Sequence, residues 1–396
     1  MISRFRALTC LLAIGASLGL AACETAPPPA PLAPVYVPLP PPPPLPNVAV
    51  SQGVVEHAAV FQGYMQRASA VRADFQAVGQ IQERLTVAQA YEPAQLQRGV
   101  VAYGAIVALQ DPTFVRTIRE FGRDPTQRQE LVRRLVANPG YVANFEGASG
   151  AAGLVVSALQ NQALTLLGAG NRVKQAAYDT QRQRPFLADI PGRPERLRAA
   201  QAVGVQPLVA DPFFAEPLRN AAVGATPIAF TGEAVAAPYT ASVARALTVA
   251  ALAALGEADG ANAQVVESLL AEPVNSYCFN LSKLNLYQCL SVAKPYYEDV
   301  FCLGQHILID TANCVGRASG RALAPPAPPA LTTATNLTPV PQGQVAAAVG
   351  GAPPSVASRA PSLAPSATPA PPVSLPGTPV ATQPISPDAP VPTAPR

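Results

Sequence analysis

The chain has 396 residues with 46 Pro, no Trp and a formal net charge of +3. Residues 47–320 carry 22 Lys+Arg and 22 Asp+Glu, so the basic excess lies in the two ends and a uniformly basic protein is excluded. Their low proline content, 14 in 274 residues, leaves ample length for one large domain or two small ones.

The N-terminus has the order of an export signal. Arg4 and Arg6 precede a 14-residue uncharged stretch, Ala7 to Leu20, and small residues Ala21 and Ala22 lead to Cys23. The stretch is shorter than the roughly 18–20 residues a spanning helix needs, and its flanks are those of a signal peptide. Leu20-Ala21-Ala22-Cys23 resembles the lipobox of bacterial lipoproteins; the resemblance covers residues 1–23 and says nothing of the rest. It implies export, removal of residues 1–22, and attachment to the lipid bilayer through acylated Cys23. Two or three acyl chains, at about 0.8 kcal/mol per buried CH₂, make a permanent anchor. Glu24 stands where enteric lipoproteins retained in the inner membrane carry Asp, which points to the outer membrane, on its periplasmic side.

Residues 23–46 form a Pro-rich linker in which 12 of the last 20 positions are proline. Such a run is polyproline II at about 3.1 Å per residue, a stalk of up to about 70 Å. The tail 321–396 has 20 Pro among Ala, Ser, Thr and Val with few charges, and composition predicts disorder.

Between these arms helical periodicity dominates, and an all-α multi-helix bundle is expected. Val54, Ala58, Phe61, Met65, Ala68, Phe75, Val78 and Leu85 recur at three- and four-residue steps, reading as one long first helix. Glu92-Pro93 opens the next, through Gln110. Asp111-Pro112 and Asp124-Pro125 open two short helices, with Asp as N-cap and Pro at the first turn, and Gly122 and Gly140 suit their ends. This pair has a helix-turn-helix outline with Arg116, Arg119, Arg123, Arg128, Arg133 and Arg134 along it, but an exported chain does not meet the chromosome, so no nucleic-acid partner is expected. Gly147 to Asn171 is uncharged with Gln160, Asn161 and Gln162 at its middle; it reads as a buried central helix running to about Arg184, not a membrane span. Residues 185–238 are broken by prolines, mark a possible subdivision, and are expected to be loop and short helices pinned by Phe213, Phe214 and Phe230. Thr240 to Leu255 is a second apolar helix. Residues 47–198 carry 17 basic and 12 acidic groups, residues 199–320 carry 5 and 10, so the two halves can dock on each other or expose solvated faces.

Four cysteines end the domain: Cys278, Cys289, Cys302 and Cys314. An even count in an exported chain implies disulfides. Four cysteines allow three connectivities; helices over about 278–290 and 295–313, folded antiparallel, favour the nested one, Cys289 with Cys302 and Cys278 with Cys314, a C-terminal stapled helical hairpin. The spacing does not suit zinc, and no metal or cofactor is expected. Tyr287, Tyr296, Tyr297, Phe301 and His306 crowd this hairpin and form the candidate interaction face.

No HExxH, GxSxG or Walker A pattern occurs, so no catalytic residue is assigned. The leading expectation is a cell-envelope lipoprotein acting as a non-enzymatic scaffold for an envelope-protein partner. One alternative is a periplasmic hydrolase or thiol enzyme using Cys302 and His306, with Asp310 one turn on. Another is a tether that binds peptidoglycan through the Arg-rich helices or the tail.

Overall fold

A computed structural model of the chain describes residues 42–323. The signal peptide, Cys23, the linker up to residue 41 and the tail from residue 324 lie outside the described residues, and so do the expectations attached to them. The described residues form an all-α fold, with fourteen α-helices and no strand.

In chain order the helices are α1 Gln52–Ser69, α2 Gly79–Gln89, α3 Pro93–Ala108, α4 Pro112–Phe121, α5 Pro125–Ala137, α6 Ala148–Thr180 and the single turn α7 Arg184–Leu187. Then come α8 Arg193–Gly204, α9 Pro212–Ala222, α10 Ala241–Ala254, α11 Ala263–Leu270, α12 Pro273–Val292, α13 Tyr296–Cys302 and α14 Asp310–Ser319. A π-helical turn, Leu303–Ile309, joins α13 to α14 without a break.

Five of these helices start with an acidic residue followed by proline. Glu92, Asp111, Asp124, Asp211 and Glu272 each accept a hydrogen bond from a free amide of the first turn, with Pro at the first position. Ser51 and Thr240 cap α1 and α10 the same way. The caps satisfy amides that have no partner inside the helix, and Pro sacrifices no bond there.

The core is built on α3, α6 and α10, whose small residues let neighbours approach. Along α3, Leu96, Val100, Val101 and Ile106 are fully buried, as are Leu247, Ala250 and Leu252 on α10. A Cβ at Gly99 would lie 2.6 Å from Phe61 Cβ, so α1 crosses α3 at a distance only glycine allows. Each buried Leu, Ile or Phe removes enough apolar surface to contribute about 1.5–3 kcal/mol. Helix α6 is long and apolar enough to cross a membrane, but in the fold α1, α3, α13 and α14 pack against it. Its polar triplet meets the surface: Asn161 is exposed and Gln160 and Gln162 are half-buried.

Several expectations are corrected. The long first helix is two helices, α1 and α2, separated by residues 70–78. Arg84 of α2 reaches back to hydrogen-bond the carbonyls of Arg72 (3.0 Å) and Asp74 (3.1 Å), and it stacks 4.3 Å from the Phe75 ring. Phe75 is buried from a loop, which is why the apolar spacing ran on through the break. Gly122 ends α4 with φ −86°, not left-handed; a Cβ there would come 2.1 Å from Leu255 Cδ2, so space is what it supplies. Gly140 lies beyond α5, in a 3₁₀ turn entered through Asn138, and the left-handed glycine of this region is Gly147, φ 85°, at the start of α6. Phe213 is 73% exposed and pins nothing, whereas Phe214 is buried and Phe230 packs against the core.

Residues 185–238 are laced to the helices around them. Gln95 exchanges hydrogen bonds with the Leu208 backbone (2.7 Å each way), and Gln110 donates to Ala221 O at 3.0 Å. Between the charge-polarised halves, Arg128 meets Glu257 at 3.5 Å and Arg196 meets Asp299 at 2.5 Å. Most other ion pairs are local, such as Arg133 and Arg134 sharing Glu130. Arg119 holds the Pro46 carbonyl at 2.8 Å, so the end of the Pro-rich linker is clamped to α4.

Candidate functional site

The C-terminal hairpin is stapled as its spacing implied. Cys278 bonds Cys314 and Cys289 bonds Cys302, each with Cα atoms 5.7 Å apart. Helix α12 begins at Pro273, five residues before Cys278, because Glu272-Pro273 caps it there. The second arm is continuous from Tyr296 to Ser319, through the π turn.

The π turn is packed against α6 and hydrogen-bonded to α12. At Gly304 a Cβ would lie 2.6 Å from the Lys174 backbone nitrogen, so α6 presses directly on this turn. A wide turn frees carbonyls that an α-helix would satisfy. Ser282 Oγ donates to the His306 carbonyl at 2.7 Å and lies 3.2 Å from Thr311 Oγ1, which in turn meets Tyr91 Oη at 3.1 Å. Burial raises the Tyr91 phenol above its ordinary value, against the hydrogen bonds of Thr311 and Ser282.

Two cations are buried under the hairpin. Lys283, 4% exposed, donates to the carbonyls of Gln89 and Gly204 (the latter at 2.8 Å) and lies 4.0 Å from the Tyr91 ring centroid. Gln89 and Gly204 end α2 and α8, so the ammonium sits on two helix C-termini, where partial negative charge collects. Burial pulls its pKa down to about 7, and Glu92 opposes that. Arg196 donates to the Leu290 carbonyl and Arg193 to Ser291 O at 3.0 Å, closing the end of α12. Arg196 also pairs with Asp299, whose carboxyl burial pushes up to about 7 although the guanidinium works the other way.

The five residues of the expected interaction face do not share one surface. Tyr297 and Phe301 line a groove of about 290 Å³ together with Ala177, Tyr178, Val292 and Glu298, with Cys289 of the inner staple in its wall. The Tyr178 and Phe301 rings meet edge to face at 6.3 Å, and Lys174 Nζ lies 5.5 Å from the Phe301 centroid. His306 stands beside this group, its ring 6.3 Å from Phe301 and its Nδ1 3.3 Å from Asp310 Oδ2. Tyr296 faces a different cavity, of about 230 Å³, beside Arg196 and Asp299. Tyr287 turns to α8, where a Cβ at Gly204 would fall 2.0 Å from its hydroxyl. Successive residues of one helix point about 100° apart, and here Tyr296 takes the Arg196 side while Tyr297 takes the groove.

Sequence reasoning missed Val292 and Tyr178 of the groove. Val292 is 71% exposed and Tyr178 46%, and neither stands out in composition. The thiol-enzyme alternative loses its nucleophile, since Cys302 is fully buried and bonded to Cys289. Among the described residues no group of three or more His, Cys, Asp or Glu could hold a metal ion. Comparison of the chain with protein-family models, with curated proteins and with solved structures finds no match.

Proposed function

We propose that the protein is a cell-envelope lipoprotein, anchored through acylated Cys23 on the periplasmic side of the outer membrane, whose helical domain docks an envelope protein without catalysing a reaction. The observation that carries the docking reading is the open groove of Tyr178, Val292, Tyr297 and Phe301, held on a hairpin with two staples. Aromatic rings with half-exposed edges offer large contact area at low entropic cost, the usual make-up of an anchor pocket for a partner side chain. The lipobox-like leader and the Pro-rich linker ahead of the domain support the location.

In-cell crosslinking of the full chain, followed by recovery and mass spectrometry, tests the reading. One dominant envelope protein is expected, lost in Val292→Asp, a substitution at a 71% exposed position that the fold tolerates. Recovery of peptidoglycan alone, or a partner indifferent to Val292→Asp, would reject docking through the groove. Cys23→Ala is expected to move the protein from the membrane to the soluble fraction.

A further inference from the structure

Helix α12 is apolar on both of its faces. Inside are Phe279, Leu286 and Leu290, together with Asn275, Ser282 and its only charged residue, Lys283. Outside stand Val274, Tyr277, Leu281 and Leu284, which are 77, 65, 39 and 52% exposed. An ordinary surface helix places its apolar stripe on the core and its charges in water. Here the exposed face of a 20-residue helix has no charge, with four large apolar side chains in one row over residues 274–284 and Val292 beyond Gln288 in its last turn. The fold gives this row no partner within the described residues.

The spacing of the row says what fits it. Steps of three, four and three residues are those of a coiled-coil seam, and Gln288 ends it at the next position. The order is palindromic about Phe279: an antiparallel copy of α12 sets Val274 against Leu284 and Tyr277 against Leu281, each pair occurring twice. A two-fold interface needs this self-complementarity, one patch serving both copies. Antiparallel helices also bring opposite ends of their dipoles together. With no charge on the face, two identical surfaces meet without like-charge repulsion. A bilayer surface fits less well, because helices that lie on membranes rim their apolar face with Lys and Arg, and α12 has none there.

We infer that α12 is a homotypic docking face, through which two copies of the protein pair antiparallel about Phe279. Four side chains per copy make a small contact, in the class under about 1,200 Å² that associates transiently. The inference concerns residues 274–284 of α12, whereas the groove takes Val292 from the last turn of the same helix, and it does not depend on what the groove binds.

The test is in-cell photo-crosslinking of the full chain with a photoreactive amino acid in place of the exposed Asn280. A band at twice the monomer mass is expected, with both crosslinked peptides from residues 273–292. Leu281→Glu places an unpaired carboxylate in the seam and should reduce the band about tenfold, and Leu284→Lys should act alike. Tyr277→Lys combined with Leu281→Glu should restore it, because the antiparallel register sets Lys against Glu twice, while a parallel pair would set like against like. Unchanged mobility of the unreduced monomer reports that both staples, and hence the hairpin, are intact in the variants. Crosslinks to another protein, no dimer band, or a band indifferent to Leu281→Glu overturns the inference; failure of the double variant to restore the band overturns the antiparallel register.

Discussion

Helices α5 and α12 follow opposite rules within one fold. In α5, Leu131 and Leu135 are buried while Glu130, Arg133 and Arg134 pair with each other in solvent. In α12 Lys283 is inside beside Phe279, Leu286 and Leu290, while Val274, Tyr277, Leu281 and Leu284 are outside. The difference comes from what the neighbours offer. The cations of α5 keep to the surface, where Arg133 and Arg134 share Glu130 and Arg128 reaches Glu257. The helices beside α12 end there, and the carbonyls of Gln89 and Gly204 replace water around the Lys283 ammonium. Buried charge costs free energy unless paired and hydrogen-bonded. Here helix ends supply the partners.

The largest way to test this contrast is to release α12. Converting Cys278 and Cys314 to Ala opens a 36-residue loop and should lower stability by about 4 kcal/mol; opening the 13-residue Cys289–Cys302 loop should cost about 3 kcal/mol. Denaturant unfolding of the oxidised and double-alanine proteins measures both, and equal losses would contradict the loop-length account.

The buried ions should make stability depend on pH in opposite senses. Lys283 has its pKa lowered to about 7 in the fold, so the unfolded chain holds more protons above that and stability rises with pH from about 7 toward the ordinary lysine value. Asp299 has its pKa raised to about 7, so its contribution is full below the ordinary aspartate value and is lost as pH climbs to 7. Urea midpoints of Lys283→Met should lack the rise above pH 7, and those of Asp299→Asn should lack the fall below it. Arg133→Met on α5 should leave both limbs unchanged.

Smaller effects belong to the caps and the surface. Asp124→Ala, which removes the bond accepted from the Gln127 amide of α5, should cost about 1 kcal/mol. Glu130 is held at about 2 by hydrogen bonds from Arg133 and Arg134, yet the cluster is solvent-exposed, so Arg133→Ala should cost no measurable stability. A measurable loss would mean that α5 is not the ordinary surface helix of this comparison.

Local signals were legible wherever one residue decides for itself. The acid-proline starts at Glu92, Asp111 and Asp124 were readable, and the same dipeptide at Asp211 and Glu272 carried the same information, although the cysteines drew the start of α12 to Cys278. The helix class, the burial of α6 and the nested cysteine pairing also follow from spacing, since helical periodicity and loop closure are properties of the chain. Spacing failed at 70–78, where buried Phe75 mimics a helical step from a loop. It failed again at the aromatic cluster, because Tyr287, Tyr296 and Tyr297 are neighbours in sequence that point in different directions.

The sequence by itself determined that the described chain is helical and where α3, α4, α5 and α10 begin, and it favoured the nested one of three cysteine pairings, which the structure shows. Only the tertiary structure decided which face of α12 is inside and which aromatic residues form the groove. The physical reason is that a charge or a ring is placed by the acceptors and surfaces around it. For Lys283 those acceptors come from Gln89 and Gly204, far from it in the chain and brought beside it only by the packing of α2 and α8.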